Sequence, residues 1–320
     1  MATEFDLIRR FFYRPARSAA LGPGDDAALL RPDPGMELAV SADMLVEGVH
    51  FPSGTDARLI GHKSLAVNLS DMAAMGATPR WATLSIALPS ADERWVGQFA
   101  AGLFALAERF GVELIGGDTT RGPLTISISI LGEVPRGLAL RRAGARPGDD
   151  LWVSGELGGA ALGLARPEIP EALRRLQEPE PRVALGERLR GIATSAIDVS
   201  DGLVSDLGHI LECSAAGAQL DYARLPRAAA FAQLGTGADA EVLERRCVLS
   251  GGDDYELLFT AAPSERNRLA ALSRELALPL ARIGAIRPAA DEALPLPLVL
   301  DARGEPIPVR AGYDHFAATP

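Results

Sequence analysis

The chain of 320 residues is poor in aromatics, poorer in cysteine and poorest in lysine. Its two cysteines, Cys213 and Cys247, stand alone and form no CxxC, which argues against a zinc site and against a disulfide framework. Lys63 is the only lysine among 32 basic side chains, a bias read as genome composition rather than function. No apolar run approaches the roughly 18 residues of a membrane span. The opening segment MATEFDLIRRFFYR breaks its apolar residues with charges where a signal peptide has an unbroken core. A cytoplasmic location is therefore expected. Nucleotide and hydrolase signatures are missing too: there is no GxxxxGKS or GxxxxGKT, no VAIK, HRD and DFG set, no GxSxG and no HExxH. Basic excess is also lacking. A net charge of −10 argues against direct binding of nucleic acid or anionic membrane, but leaves phosphates reachable through a cation.

What is present is a chain long enough for two domains, 48% hydrophobic, in which short apolar runs alternate with helical patterns. Strands are expected at Leu38–Ser41, Ala82–Leu88, Glu113–Ile115, Thr125–Val134, Asp150–Val153, Ser195–Val199 and Cys247–Leu249. Helices are expected over Asp56–Met75 and Glu93–Phe110, and from Asp201 onward with Ser200 as the cap. The reading is α/β (or α+β). The Pro- and Arg-rich stretch near 135–147 marks a boundary between residues 1–137 and 138–320.

One pattern recurs: an apolar run meets small residues and aspartate. It occurs in GPGDDAAL, AVSADMLVEGVHF, NLSDMAAMGA, LIGGDTTRGP, AIDVSDGL and SGGDDYEL. Each alone is an ordinary turn or cap. Together they choose a carboxylate nearly every time, and carboxylates that converge call for hard cations such as Mg²⁺. Two like charges about 4 Å apart repel by about 4 kcal/mol at an effective dielectric near 20, so an acidic pocket takes phosphates only through metal. Neighbouring small residues such as Gly24, Gly116, Gly117 and Gly202 let backbone N–H groups approach phosphate oxygens. Arg121, or Arg141 and Arg142, can supply fixed positive charge.

These motifs, with HKSLAVNLSDMAAMGATP, RAGARPGD, AIDVSDGLVSDLGHI, SGGDDYELLFT and the late GYDHF, occur in one order over nearly the whole chain. In this they resemble the thiamine-monophosphate kinase family, part of a superfamily that includes aminoimidazole ribonucleotide synthetase and selenide water dikinase. The resemblance implies an N-terminal ATP- and Mg-binding domain with a dimer-forming sheet, and a C-terminal α/β domain that completes the active site. It implies ATP and thiamine monophosphate as substrates, several Mg²⁺ ions and a homodimer. By position, Asp26, Ser41, Ala42, Asp43, Asp71, Asp118, Asp198 and Asp201 match metal contacts. Gly117, Asp118, Arg142 and Ser200 match ATP contacts, and His50, Asp253 and Tyr313 match contacts to thiamine monophosphate. Asp43, Asp71 and Asp118 are the implied catalytic acids. Two positions depart from the family pattern. Ala42 stands where Thr or Ser is common, so a metal contact there runs through its carbonyl; Asp253 stands where Glu is expected and reaches one methylene less.

The rival readings are another enzyme of that superfamily, such as aminoimidazole ribonucleotide synthetase, and a non-catalytic Mg-nucleotide binding module. SGGDDYEL and GYDHF favour the kinase, because they match acceptor contacts rather than the shared nucleotide core. A selenide water dikinase is disfavoured by the want of a cysteine in a Gly-rich N-terminal segment.

Overall fold

The computed structural model describes residues 3–289 and 297–309. It divides into two compact units, one of Met1–Met72 with Ala77–Ala139, the other of Ala73–Gly76 with Leu140–Pro320.

The first unit runs α1 (Glu4–Leu7), β1 (Met36–Val46), α2 (Ala57–Ala74), β2 (Thr78–Leu88), α3 (Glu93–Phe110), β3 (Glu113–Arg121) and β4 (Thr125–Pro135). The four strands form one sheet in the order β1-β4-β2-β3. β1 pairs antiparallel with β4 along its full length, from Met36 opposite Pro135 to Val46 opposite Thr125. Period-two alternation places Ile126, Ile128 and Ile130 of β4 in the core, in register with Ile86, Leu84 and Ala82 of β2. On β1 the half-buried Ser41 and Asp43 alternate with exposed Val40, Ala42 and Met44.

α3 follows from its sequence: Asp92 caps it by accepting from the N–H groups of Arg94 and Trp95, and Gly111 ends it in the left-handed region. Val96, Phe99, Leu103 and Leu106 form its buried stripe. α2 is different, because Arg58 is its only exposed residue. It meets α3 backbone to backbone. A Cβ on Gly61 would stand 2.1 Å from the Phe99 carbonyl oxygen, and one on Gly102 would stand 1.9 Å from that of Arg58.

The second unit comprises β5 (Asp150–Ser154), α4 (Gly159–Ala165), α5 (Pro170–Gln177), α6 (Val183–Leu189), β6 (Ala193–Asp198), α7 (Leu203–Ser214), β7 (Ala216–Asp221), α8 (Ala238–Ser250), β8 (Leu257–Ala261), α9 (Arg266–Glu275), β9 (Leu280–Pro288) and β10 (Leu298–Leu300). Its sheet has the order β10-β7-β9-β5-β8-β6. Every pairing is antiparallel except β10 with β7. The core between sheet and helices holds Leu151, Val153, Ile197, Leu207, Ile210, Leu258 and Ile283.

Three sequence expectations are corrected. Cys247–Leu249 is no strand but the buried last turn of α8; a short apolar run does not distinguish the two. β1 and β3 run well past Ser41 and Ile115, so the SAD and GGD aspartates lie within strands rather than in loops. Pairing with β4 and β2 holds those residues extended despite their weak strand preference. Finally, α7 begins at Leu203 with Gly202 as its N-cap, and Ser200 does not cap it.

The close crossing of α2 and α3 gives a test of packing. Gly102→Ala is expected to lower the unfolding free energy by about 2 kcal/mol or more, because the carbonyl it meets cannot move without shifting α2. Urea denaturation within about 0.5 kcal/mol of the parent would show that the crossing is loose.

Candidate active site

In the first unit the strongest polar contact among the predicted residues joins strand to helix. Ser41 Oγ on β1 donates to Asp71 Oδ2 on α2 at 2.5 Å. Asp43 lies two residues along the same face of β1. Ala42, on the opposite face, offers only its backbone. Asp26 is exposed in the segment before β1.

Gly117 and Asp118 lie in β3, at the far edge of the sheet with β4 and β2 between them and β1. Gly117 pairs in register with Leu84 and Asp118 with Ser85. At φ +146° a Cβ on Gly117 would stand 1.8 Å from the Leu84 carbonyl oxygen, so only glycine fits there. Among the described residues, no three His, Cys, Asp or Glu side chains stand close enough together to hold a metal ion.

His50 closes a tight turn after β1. Its N–H donates to the Val46 carbonyl at 3.0 Å, and the Val46 N–H donates to its ring Nδ1, also at 3.0 Å. That second bond assigns the neutral ring's proton to Nε2. Lys63 Nζ donates to the His50 carbonyl oxygen at 3.1 Å.

The second unit builds its part from buried carboxylates that the sequence reading passed over. Asp206, 2% exposed on α7, accepts from the consecutive N–H groups of Ser200, Asp201 and Gly202 at 3.0, 3.1 and 3.1 Å. One side chain thus gathers the three N–H groups that lead into α7, and it fixes the turn between Asp198, at the end of β6, and the helix. Burial pushes the Asp206 carboxyl up to about 8, with Asp198 and Asp201 adding to the rise. The signal was its place in DGLVSDLGHI, four residues after the glycine and able to reach back over the first turn.

The SGGDDYEL loop is fixed in the same way. The Asp253 N–H donates to the Ser200 carbonyl at 2.9 Å and the Tyr255 N–H to that of Val199 at 2.8 Å. Both residues take positive φ, +67° and +51°, conformations that side chains adopt at a cost. Tyr255 Oη donates to Asp253 Oδ1 at 2.9 Å. Asp254 turns inward, where its Oδ2 accepts from Gly158 N–H at 2.7 Å at the start of α4. Glu256, 1% exposed, is held by Ser154 Oγ at 2.6 Å and Arg182 Nε at 2.6 Å, with a further bond from Arg182 Nη2. A small cavity of about 10 Å³ beside this loop is lined by Glu156, Arg175, Glu180, Asp253 and Asp254 among others. Arg142, exposed, belongs to a segment tied to α7: Ser214 Oγ accepts from Gly144 and Ala145 N–H and donates to the Arg142 carbonyl. Tyr313 lies outside the described residues.

Residues 24–134 match the family model of the AIR synthase related protein, N-terminal domain. The first unit is of that class. Over the whole length, the chain is 44% identical to the thiamine-monophosphate kinase of Escherichia coli (strain K12), covering 98% of each. It is similar to the crystal structure of thiamine-monophosphate kinase from Stenotrophomonas maltophilia K279a, with a TM-score of 0.81, 48% identity and 93% and 95% of the two chains covered. A structure of AaThiL complexed with AMPPCP and TMP superposes with a TM-score of 0.76 at 27% identity, covering 98% and 96%. The chain belongs to the thiamine-monophosphate kinase family.

Burial pushes the Asp254 carboxyl from 3.8 up to about 8, against the Gly158 and Ala160 N–H groups, with Glu256 and Asp253 adding to the rise. Above about pH 4 the unfolded chain releases a proton that the native state keeps. The group's stability contribution is therefore full below that pH and is lost as pH rises through about 8. Relative to Asp254→Asn, which cannot ionise, the parent's unfolding free energy should fall by at least about 1 kcal/mol across that window. No change across that window would mean that Asp254 is already ionised in the native protein.

Proposed function

We propose that this chain transfers the terminal phosphoryl group of ATP to thiamine monophosphate, giving thiamine diphosphate and ADP, in the cytoplasm. The observation that carries the reading is full-length similarity to thiamine-monophosphate kinases, joined to the contact of Ser41 on β1 with Asp71 on α2. Residues 1–137 are the ATP-, Mg- and dimer-forming domain, and residues 138–320 complete the acceptor side. No helix among the described residues is long and apolar enough to cross a membrane.

The donor set suits Mg²⁺, since every side chain in it offers oxygen and none offers sulfur or nitrogen. Asp26, Ser41, Asp43, Asp71, Asp118, Asp198, Asp201 and the Ala42 carbonyl would hold the several ions. When bound, Mg²⁺ supplies positive charge between the ATP triphosphate and the acceptor monophosphate, two anions that otherwise repel. Gly117, Asp118, Arg142 and Ser200 position the nucleotide. His50, Asp253 and Tyr313 hold the acceptor. Its phosphate, with a second pKa near 6, is largely dianionic at neutral pH and needs no general base. Transfer is therefore direct and in line, with no residue serving as nucleophile.

The acceptor's thiazolium is cationic, which suits the carboxylate of Asp253. A homodimer through the sheet accords with β1, whose Leu38, Val40 and Met44 are 41%, 65% and 57% exposed on one face.

The deciding assay is ADP release with thiamine monophosphate, compared with thiamine and with formylglycinamidine ribonucleotide. Response to the first alone supports the kinase, and ATP binding without turnover on any acceptor supports the binding-module reading. Asp43→Asn should cut kcat at least about a hundredfold at saturating Mg²⁺; wild-type turnover, or labelled phosphate trapped on the protein, would sink the mechanism. Asp253→Ala should raise KM for thiamine monophosphate about tenfold or more while leaving that for MgATP nearly unchanged. An equal loss for both substrates would return the loop to metal binding.

A further inference from the structure

Lysine occurs once in this chain; of its 32 basic residues the other 31 are arginine. Composition bias accounts for the excess of arginine but not for the exception. At exposed positions the two residues exchange with little consequence. At a closed site they do not, because an ammonium is a compact point donor and a guanidinium is a wide planar fork with five N–H groups to satisfy. Lys63 occupies a closed site. It is 4% exposed on α2, next to Ser64 and one turn or more from Asn68, both 0% exposed. Its Nζ reaches the main-chain oxygen of His50 at 3.1 Å.

That bond completes a three-point grip on the turn after β1. The Val46 carbonyl takes the His50 N–H, the Val46 N–H takes ring Nδ1, and Lys63 takes the carbonyl oxygen. The first two bonds are local and tie His50 only to its own strand. The third ties it to a buried helix that also carries Asp71, eight residues and about 12 Å further along the axis. It thereby sets the imidazole's place relative to the acidic cluster.

We propose that Lys63 is a positioning residue for the acceptor, anchoring the His50 turn to α2 so that the imidazole meets the phosphate of the incoming monophosphate, and that this role requires an ammonium rather than a guanidinium. The inference rests on the reading of His50 as an acceptor contact.

Kinetics of Lys63→Met, Lys63→Gln and Lys63→Arg test it, with each variant's fold checked by circular dichroism. The Met variant should raise KM for thiamine monophosphate at least about tenfold, with KM for ATP within about twofold of the parent. The Gln variant keeps an N–H donor and should recover part of that loss, and the Arg variant should not recover it. In a His50→Ala background the Met substitution should add less than about threefold, since both changes then act through one contact. Calorimetric titration of thiamine monophosphate without ATP should show the same order of affinities. A parental KM for the Arg variant, equal rises for both substrates, or full additivity with His50→Ala would overturn the proposal. If His50→Ala alone left KM for the acceptor unchanged while Lys63→Met raised it, the assignment of His50 would fail instead, and with it the route through that turn.

Discussion

Helix α2 passes through the first unit with hardly any surface of its own, and the chemistry of that unit is arranged around this burial. A helix exposed on one side can drift or rotate by a few degrees at little cost. One that crosses α3 at Gly61 and Gly102 with backbone touching backbone cannot. Its polar residues are consequently delivered to fixed places: Asp71 to Ser41 on β1, and Lys63 to the His50 turn. Strand and helix together hold these side chains without a loop in between.

The second unit solves the same problem with buried carboxylates. Asp206 gathers three backbone N–H groups, Asp254 holds the start of α4, and Glu256 is locked by Ser154 and Arg182. Each burial costs desolvation, which is why Asp206 and Asp254 are shifted upward. In return the loops carrying Asp198, Asp201 and Asp253 are specified by single side chains rather than by their own turn preferences. The strained backbone at Asp253 and Tyr255 persists because the ladder to Val199 and Ser200 over-determines it.

Much of this was legible beforehand. The α/β class, the spans of α2 and α3 and the positions of β2, β4, β5 and β6 follow from the apolar patterns, and the acidic motifs carried the family. What the sequence concealed was decided by partners distant in the chain. Asp43 and Asp118 read as loop residues because Gly and Asp are turn formers, yet β4 and β2 hold them in strands. Cys247–Leu249 read as a strand because three apolar residues have no period. Ser200 read as a cap because nothing local announces that a carboxylate six residues on will take its N–H and the next two. The scaffold roles of Glu256 and Lys63 were out of reach for the same reason, since Arg182 lies 74 residues from its partner and Lys63 lies 13 from His50.

The lone lysine carries a practical corollary. With its only ε-amino group buried at 4% exposure, the folded chain offers no accessible lysine to acylating reagents, amine-directed crosslinkers or ester-activated resins. Labelling or immobilisation through side chains must turn to the exposed thiol of Cys213 or to the carboxylates. Slow acylation of Lys63 would then report, without any substrate present, how often α2 opens to solvent.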